Sequence, residues 1–142
     1  MKISARNIYK GKITAVKPGP VNAEIDLTTT AGDKIVAIVT NDSAKALGLA
    51  TGKEATALIK ATSVLVMTEG DGLKLSARNC LTGKIAKITE GPVSAEVSID
   101  LPGGNRVHAT ITHEASAELG LAVGVKASAV FKASSVIIAV SA

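Results

Sequence analysis

The sequence predicts an all-β protein built as two tandem five-stranded Greek-key barrels, each with one short helix. Three observations predict it. Sliding the chain by 72 residues aligns Lys2–Thr68 with Lys74–Val140 without a gap, and 27 of the 67 aligned pairs are identical. A period of about seventy residues is too long for a solenoid unit and fits two copies of one small domain. Within each copy, polar and apolar residues alternate with β-branched enrichment, the mark of half-buried strands. Clusters of Gly, Pro, Asn and Asp punctuate those runs at turn positions.

The elements of the first copy follow in order. Ser4–Val16 and Asn22–Thr28 alternate and read as strands, with Lys17-Pro-Gly-Pro as the turn between them. Thr30-Ala-Gly-Asp is the next turn, and its counterpart Pro102-Gly-Gly-Asn is stronger. Lys34–Thr40 is the third strand. Asn41-Asp-Ser-Ala-Lys-Ala-Leu then changes character: Asp and Ser suit a helix N-cap, the Ala-rich run favours helix, and Gly48 suits its end. This is a helix of about two turns. Ala55–Ala61 and Ser63–Met67 give one or two more strands, broken near Ala61-Thr62. A helix between the third and fourth strands of a small barrel marks an OB-like topology. The seam, Thr68-Glu-Gly-Asp-Gly-Leu, is polar and Gly-rich, so the domains are expected at 1–68 and 74–142 with a linker at 69–73.

Composition narrows the function. A copy of ~70 residues is near the lower limit for a self-sufficient core, and such domains commonly need a disulfide, a metal or a partner. The chain has one cysteine, Cys80, and two histidines, His108 and His113, both in the second copy, so neither a disulfide nor a Cys/His metal cluster is available. Self-association is the remaining route to more buried area. No apolar run approaches a membrane span, and the opening Met-Lys-Ile-Ser-Ala-Arg-Asn lacks a signal-peptide core, so a cytoplasmic protein is expected. Net charge is +4, but the sixteen Lys and Arg form no long run, and solvated surface positions account for most of them.

The strictly repeated positions carry the chemistry. Apolar strand positions drift among Val, Ile and Leu, whereas Ser4-Ala-Arg-Asn7 equals Ser76-Ala-Arg-Asn79, Thr40 equals Thr112, and Lys60-Ala-Thr-Ser answers Lys132-Ala-Ser-Ser. Apart from the amphoteric Asn these polar groups are hydroxyls and cations, and the one acidic pair fixed with them is Glu24/Glu96. A donor cluster of this kind is built to receive an oxyanion: Arg offers a planar fork, Lys a point charge, Ser and Thr rotatable hydroxyls, and a helix start its backbone N–H groups. Such a site suits an unprotonated dianion such as sulfate, molybdate or tungstate. A protonated phosphate would set its proton against a donor, a mismatch of roughly 1–3 kcal/mol. Each residue also has an ordinary reading. Arg6 and Arg78 could close surface salt bridges, though duplication inside Ser-Ala-Arg-Asn favours function. Lys60 and Lys132 stand open between a ligand role and a solvated strand end. Thr40 and Ser43 read first as helix caps, which can coincide with an anion site. The Gly-Pro-Val turns read as structural, Glu24 and Glu96 as salt-bridge partners, His108 and His113 as exposed and incidental. Cys80, aligned with Ile8, reads as a small core residue.

Ser-Ala-Arg-Asn opening a small β-domain, then Gly-Pro-Val-Asn-Ala-Glu, Ile-Val-Thr before a helix reading Leu-Gly-Leu, and a closing Lys-Ala-Thr-Ser-Val resembles the molbindin (Mop) domain, and the tandem resembles the di-Mop molbindins over essentially the whole chain. The resemblance implies an OB-like barrel, a homotrimer, and molybdate or its analogue tungstate bound at subunit interfaces, for storage and homeostasis in the cytoplasm. It implies that Ser4 and Arg6, with the backbone of Ala5 and Asn7, hold oxyanion oxygens. Thr40 and Ser43 would donate from the helix start, and Lys60 with Ala61 or Ser63 would close the site. The second set is Ser76, Ala77, Arg78, Asn79, Thr112, Ala115, Lys132, Ala133, Ser134 and Ser135. Ala115 departs from the pattern by replacing the Ser43 hydroxyl, so the two copies are expected to differ in affinity. No side chain is expected to coordinate the metal directly, and neither a membrane nor an attached DNA-binding or nucleotide-binding domain is expected.

Two other classes fit less well. An OB-type module for single-stranded nucleic acid is permitted by fold and charge, but such modules stack bases on aromatics. Here Tyr9 and Phe131 are the only aromatic residues, and they do not correspond in the repeat. An enzyme needs a base beside its nucleophile, and no His, Cys or paired carboxylate recurs in both copies.

Overall fold

A computed structural model describes every residue, Met1–Ala142. The first copy contributes β1 (Asn7–Pro18), β2 (Asn22–Thr29), β3 (Lys34–Thr40), α1 (Asn41–Ala46), β4 (Glu54–Ile59), a 3-10 turn at Ala61–Ser63 and β5 (Leu65–Met67). The second repeats the order as β6 (Asn79–Glu90), β7 (Ser94–Asp100), β8 (Arg106–Thr112), α2 (His113–Leu119), β9 (Lys126–Phe131), a 3-10 turn at Ala133–Ser135 and β10 (Ile137–Ala139). All pairings are antiparallel, in two five-stranded sheets. The expected all-β, two-barrel class is the one observed.

The long first strand of each copy serves two neighbours. β1 pairs through its first half with β4, from Asn7 opposite Ile59, and through its second half with β2. The switch falls at Gly11, opposite both Thr29 and Ala55, and a bulge follows between Ile13 and Ala15. Glycine is required there because a Cβ on Gly11 would lie 2.1 Å from the Thr28 carbonyl oxygen. Gly83 repeats the arrangement, 2.0 Å from the Asp100 carbonyl oxygen.

The fifth strands are exchanged. The sheet order is β10-β4-β1-β2-β3 in one barrel and β5-β9-β6-β7-β8 in the other. Ile137 pairs with Leu58, and Leu65 with Val130. The repeats and the sheets therefore divide the chain differently: residues before the 68/74 seam complete the second sheet, and the C-terminal strand completes the first. One continuous apolar cluster of 24 buried residues runs through both copies. The extra burial that each small barrel needs thus comes partly from the other barrel.

Cys80 is corrected from core to exposed. Side chains alternate along a strand. Asn79 and Asn7 point inward at the strand starts, so Cys80 and its counterpart Ile8 point outward. Parity overrides the usual preference of cysteine for the interior.

Candidate functional site

Ser4, Ala5 and Arg6 run into β1, and Lys60 and Ala61 run out of β4. Because Asn7 faces Ile59 in the ladder, the two segments leave it side by side. Ser4, Arg6 and Lys60 are exposed, Ala61 is buried and Ser63 half-buried. Lys60 precedes the 3-10 turn, where the Ser63 N–H donates to its carbonyl at 3.0 Å. The second copy repeats this: Asn79 faces Phe131, which sets Ser76-Ala77-Arg78 beside Lys132, Ala133, Ser134 and Ser135.

Thr40 and Thr112 are the N-caps of α1 and α2. The Thr40 hydroxyl accepts from the Ser43 N–H at 3.1 Å and donates to the Ser43 Oγ at 2.9 Å. The Thr112 hydroxyl accepts from the Ala115 N–H at 3.1 Å. Replacing Ser43 by Ala115 therefore removes one hydroxyl and leaves the cap intact.

Within one chain the residues of one copy's set do not all lie together. Arg6 stands before the first residue of β1, whereas Thr40 lies beside Asn22, level with the last residues of that 12-residue strand. The chain instead brings the sets together crosswise. Arg6 Nη1 donates to Glu96 Oε1 at 2.8 Å, and Glu96 faces Thr110, two residues short of Thr112. Arg78 Nη1 donates to Glu24 Oε1, whose other oxygen lies 3.4 Å from Lys17 Nζ. The 3-10 turn of the first copy packs on β8, and that of the second on β3. Ser4, Arg6 and Lys60 thus lie over the strands leading to Thr112, and Ser76, Arg78 and Lys132 over those leading to Thr40.

The asparagines hold this arrangement. Asn7 is buried; its Nδ2 donates to the carbonyls of Ile59 at 3.2 Å and His108 at 2.8 Å, and its Oδ1 accepts from the His108 N–H at 2.8 Å. Asn79 does the same to Val36, the counterpart of His108, at 2.8 Å in both directions. Their side chains are fully engaged in joining the barrels, and an anion would meet only their backbone. The same pairing corrects the reading of His108 as incidental. It is half-buried, its Nδ1 lies 3.0 Å from Ser98 Oγ, and burial pushes its pKa down, with Arg6 and Arg106 adding to the shift. His113 is exposed, 3.0 Å from Glu90. Glu24 is held below the usual carboxylate range, first by its hydrogen bond from Arg78, which outweighs the opposing effect of burial, with Lys17 adding to the shift.

Neither aromatic offers a face to a base: Tyr9 is 7% exposed and Phe131 1%. Two clefts, of about 640 and 910 Å³, lie where the exchanged strands leave their sheets, and Ala77 alone of the predicted site residues lines either. The arginines and Lys60 and Lys132 stand on open surface. No helix is long and apolar enough to cross a membrane.

A model of the TOBE domain matches residues 3–66 and again 75–138. The chain belongs to the TOBE-domain family. This tandem TOBE protein is 47% identical over 99% of its length to the molybdenum transport protein ModE of Azotobacter vinelandii, and 46% identical over 98% to the molybdenum-pterin-binding protein MopA of Rhodobacter capsulatus. It spans about half the length of each, 52%. A single copy matches 98% of molybdenum-pterin-binding protein 3 of Clostridium pasteurianum at 49% identity. Among solved structures, it superposes with a TM-score of 0.96 and 53% identity on the cytoplasmic molybdate-binding protein ModG with molybdate bound, covering 99% of this chain and all of that one. The tandem arrangement predicted from the repeat is matched along nearly its whole length in ModE, MopA and ModG.

Proposed function

We propose that this tandem TOBE protein binds molybdate as the intact oxyanion, with tungstate as an analogue, and does no chemistry on it. The observation that carries the proposal is the correspondence, over nearly the whole chain, with a structure described as molybdate-bound. The surface chemistry supports it. Ser4, Arg6 and Lys60 with the backbone of Ala5, Asn7, Ala61 and Ser63 form one donor set. Ser76, Arg78 and Lys132 with Ala77, Asn79, Ala133, Ser134 and Ser135 form the other, and the helix starts at Thr40/Ser43 and Thr112/Ala115 supply further donors.

These sets lie on open surface, where a dianion keeps much of its hydration. Enclosure by further copies of the chain would strengthen every contact by lowering the local dielectric. We therefore place the sites at interfaces of a homotrimer, in which binding stabilises the assembly. Storage and homeostasis of molybdate in the cytoplasm is the role that fits a binder without catalytic groups. Equilibrium dialysis against molybdate tests the reading. Wild type should retain it, and the double variant Lys60→Ala/Lys132→Ala should retain much less. Equal retention by both would remove these lysines from the site, and no retention by wild type would end the proposal.

A further inference from the structure

We propose that Glu96 and Glu24 are latches on the arginines of the two anion sites, weakening oxyanion affinity so that bound anion can leave. The inference rests on the oxyanion-binding reading above. Glu24/Glu96 is the one acidic pair identical in both copies. Each glutamate reaches across to the other copy's arginine: Glu96 accepts from Arg6, and Glu24 from Arg78. Exposed ion pairs add little to stability. Both partners of Arg6–Glu96 are about half exposed, at 49% and 50%, so stability is a poor reason for keeping that pair; in the second pair Glu24 is more covered, at 18%.

The chemistry of the arginine gives a better one. A guanidinium has five N–H donors, and the carboxylate engages one nitrogen, Nη1. The remaining donors stay open to an anion, but that anion then sits well within a Debye length of the carboxylate. Entry must displace the glutamate or tolerate its charge. Even at near-bulk dielectric, before any enclosure by other copies, a dianion and a carboxylate about 6 Å apart repel enough to change affinity on the order of tenfold.

The two latches are unequal. Facing Glu24 are Arg78 and, from β1, Lys17 at 3.4 Å; its β3 neighbour is Ile38. Facing Glu96 are Arg6 and, on β8, Thr110 with His108 nearby; its β6 neighbour is Thr89, which stands where the first copy has Lys17. Two cations offset Glu24, whereas Arg6 alone offsets Glu96. The Arg78 site is therefore the tighter of the two, and Glu96 is the stronger restraint.

The test is a calorimetric titration of the full chain with molybdate near neutral pH, alongside the melting temperature without anion. Glu96→Gln should tighten one class of site about tenfold, and Glu24→Gln should tighten the other class less. Neither variant should melt higher than wild type without anion. A merely structural pair would leave binding unchanged or weaker on substitution, so tighter binding without a higher melting temperature is the signature. Thr89→Lys, an exposed change that leaves both glutamates in place, should tighten the Arg6 site alone. Gln and Lys variants that bind no more tightly than a binding-competent wild type overturn the latch and leave the oxyanion reading standing. A wild type that takes up no molybdate overturns both.

Discussion

The Asn7 side chain closes both hydrogen bonds of the His108 peptide, 101 residues away, as an added strand would. Asn79 closes those of Val36 in the mirror arrangement. The repeated Ser-Ala-Arg-Asn phrase is thus first a device that joins two barrels. Its arginine reaches the partner barrel's glutamate, and its asparagine takes the place of a strand.

Removing that amide should be costly. Asn7→Ala leaves the His108 N–H and carbonyl without partners, at roughly 1–3 kcal/mol for each group left unpaired, while the Tyr9 hydroxyl keeps the Arg106 carbonyl at 2.7 Å. Urea unfolding should show a lower midpoint for Asn7→Ala and for Asn79→Ala. Arg6→Ala, which breaks an exposed pair, should cost no more than about 1 kcal/mol.

Gly11→Ala and Gly83→Ala should each destabilise strongly, because the added methyl meets backbone oxygen at 2.1 and 2.0 Å rather than a movable side chain. Overpacking typically costs about 1–3 kcal/mol and more where the backbone must shift. Thermal melts of both variants check it, and a wild-type melting temperature for either would contradict the register.

Truncation after Val136 removes β10 from the first sheet, not the second. Amides of β4 at Thr56–Leu58 should lose exchange protection, while β9 and β6 keep theirs. Loss of protection in the second sheet instead would show that the fifth strands are not exchanged.

His108 and Glu24 each give stability a pH dependence that a single substitution can isolate. His108 has a lowered pKa in the fold, so the unfolded chain binds the proton more readily. Stability should fall as pH drops below 6.5, the ordinary histidine value. His108→Val, which restores the Val36 arrangement, should remove that slope. Glu24 also has a lowered pKa, so its contribution is complete above 4.5 and is lost as pH falls through the folded value. Lys17→Thr should shrink this acid limb. Denaturant midpoints measured from about pH 2.5 to 8 separate the two.

The repeat and the alternation made the strands and the helix legible. Lys34–Thr40 is observed as predicted, because a charged residue opens it and a capping threonine closes it. The apparent break near Ala61-Thr62 is a 3-10 turn. The strand exchange was not legible: Leu65-Val-Met and Ile137-Ile-Ala are interchangeable short apolar strands, and a repeat offers each of them two equivalent partners. The crosswise Arg–Glu pairing was hidden for the same reason, since each arginine has an identical glutamate in both copies. Cys80, aligned with Ile8, reads as core by residue preference, but strand parity turns both outward.

The most direct measurement is a calorimetric titration of the full chain with molybdate in excess sulfate and phosphate, with the mass determined in solution. A trimer mass and tight uptake of more than one anion per trimer, unaffected by the competitors, are expected. A monomer with no heat of binding, and no molybdate retained on dialysis, would contradict the proposed function.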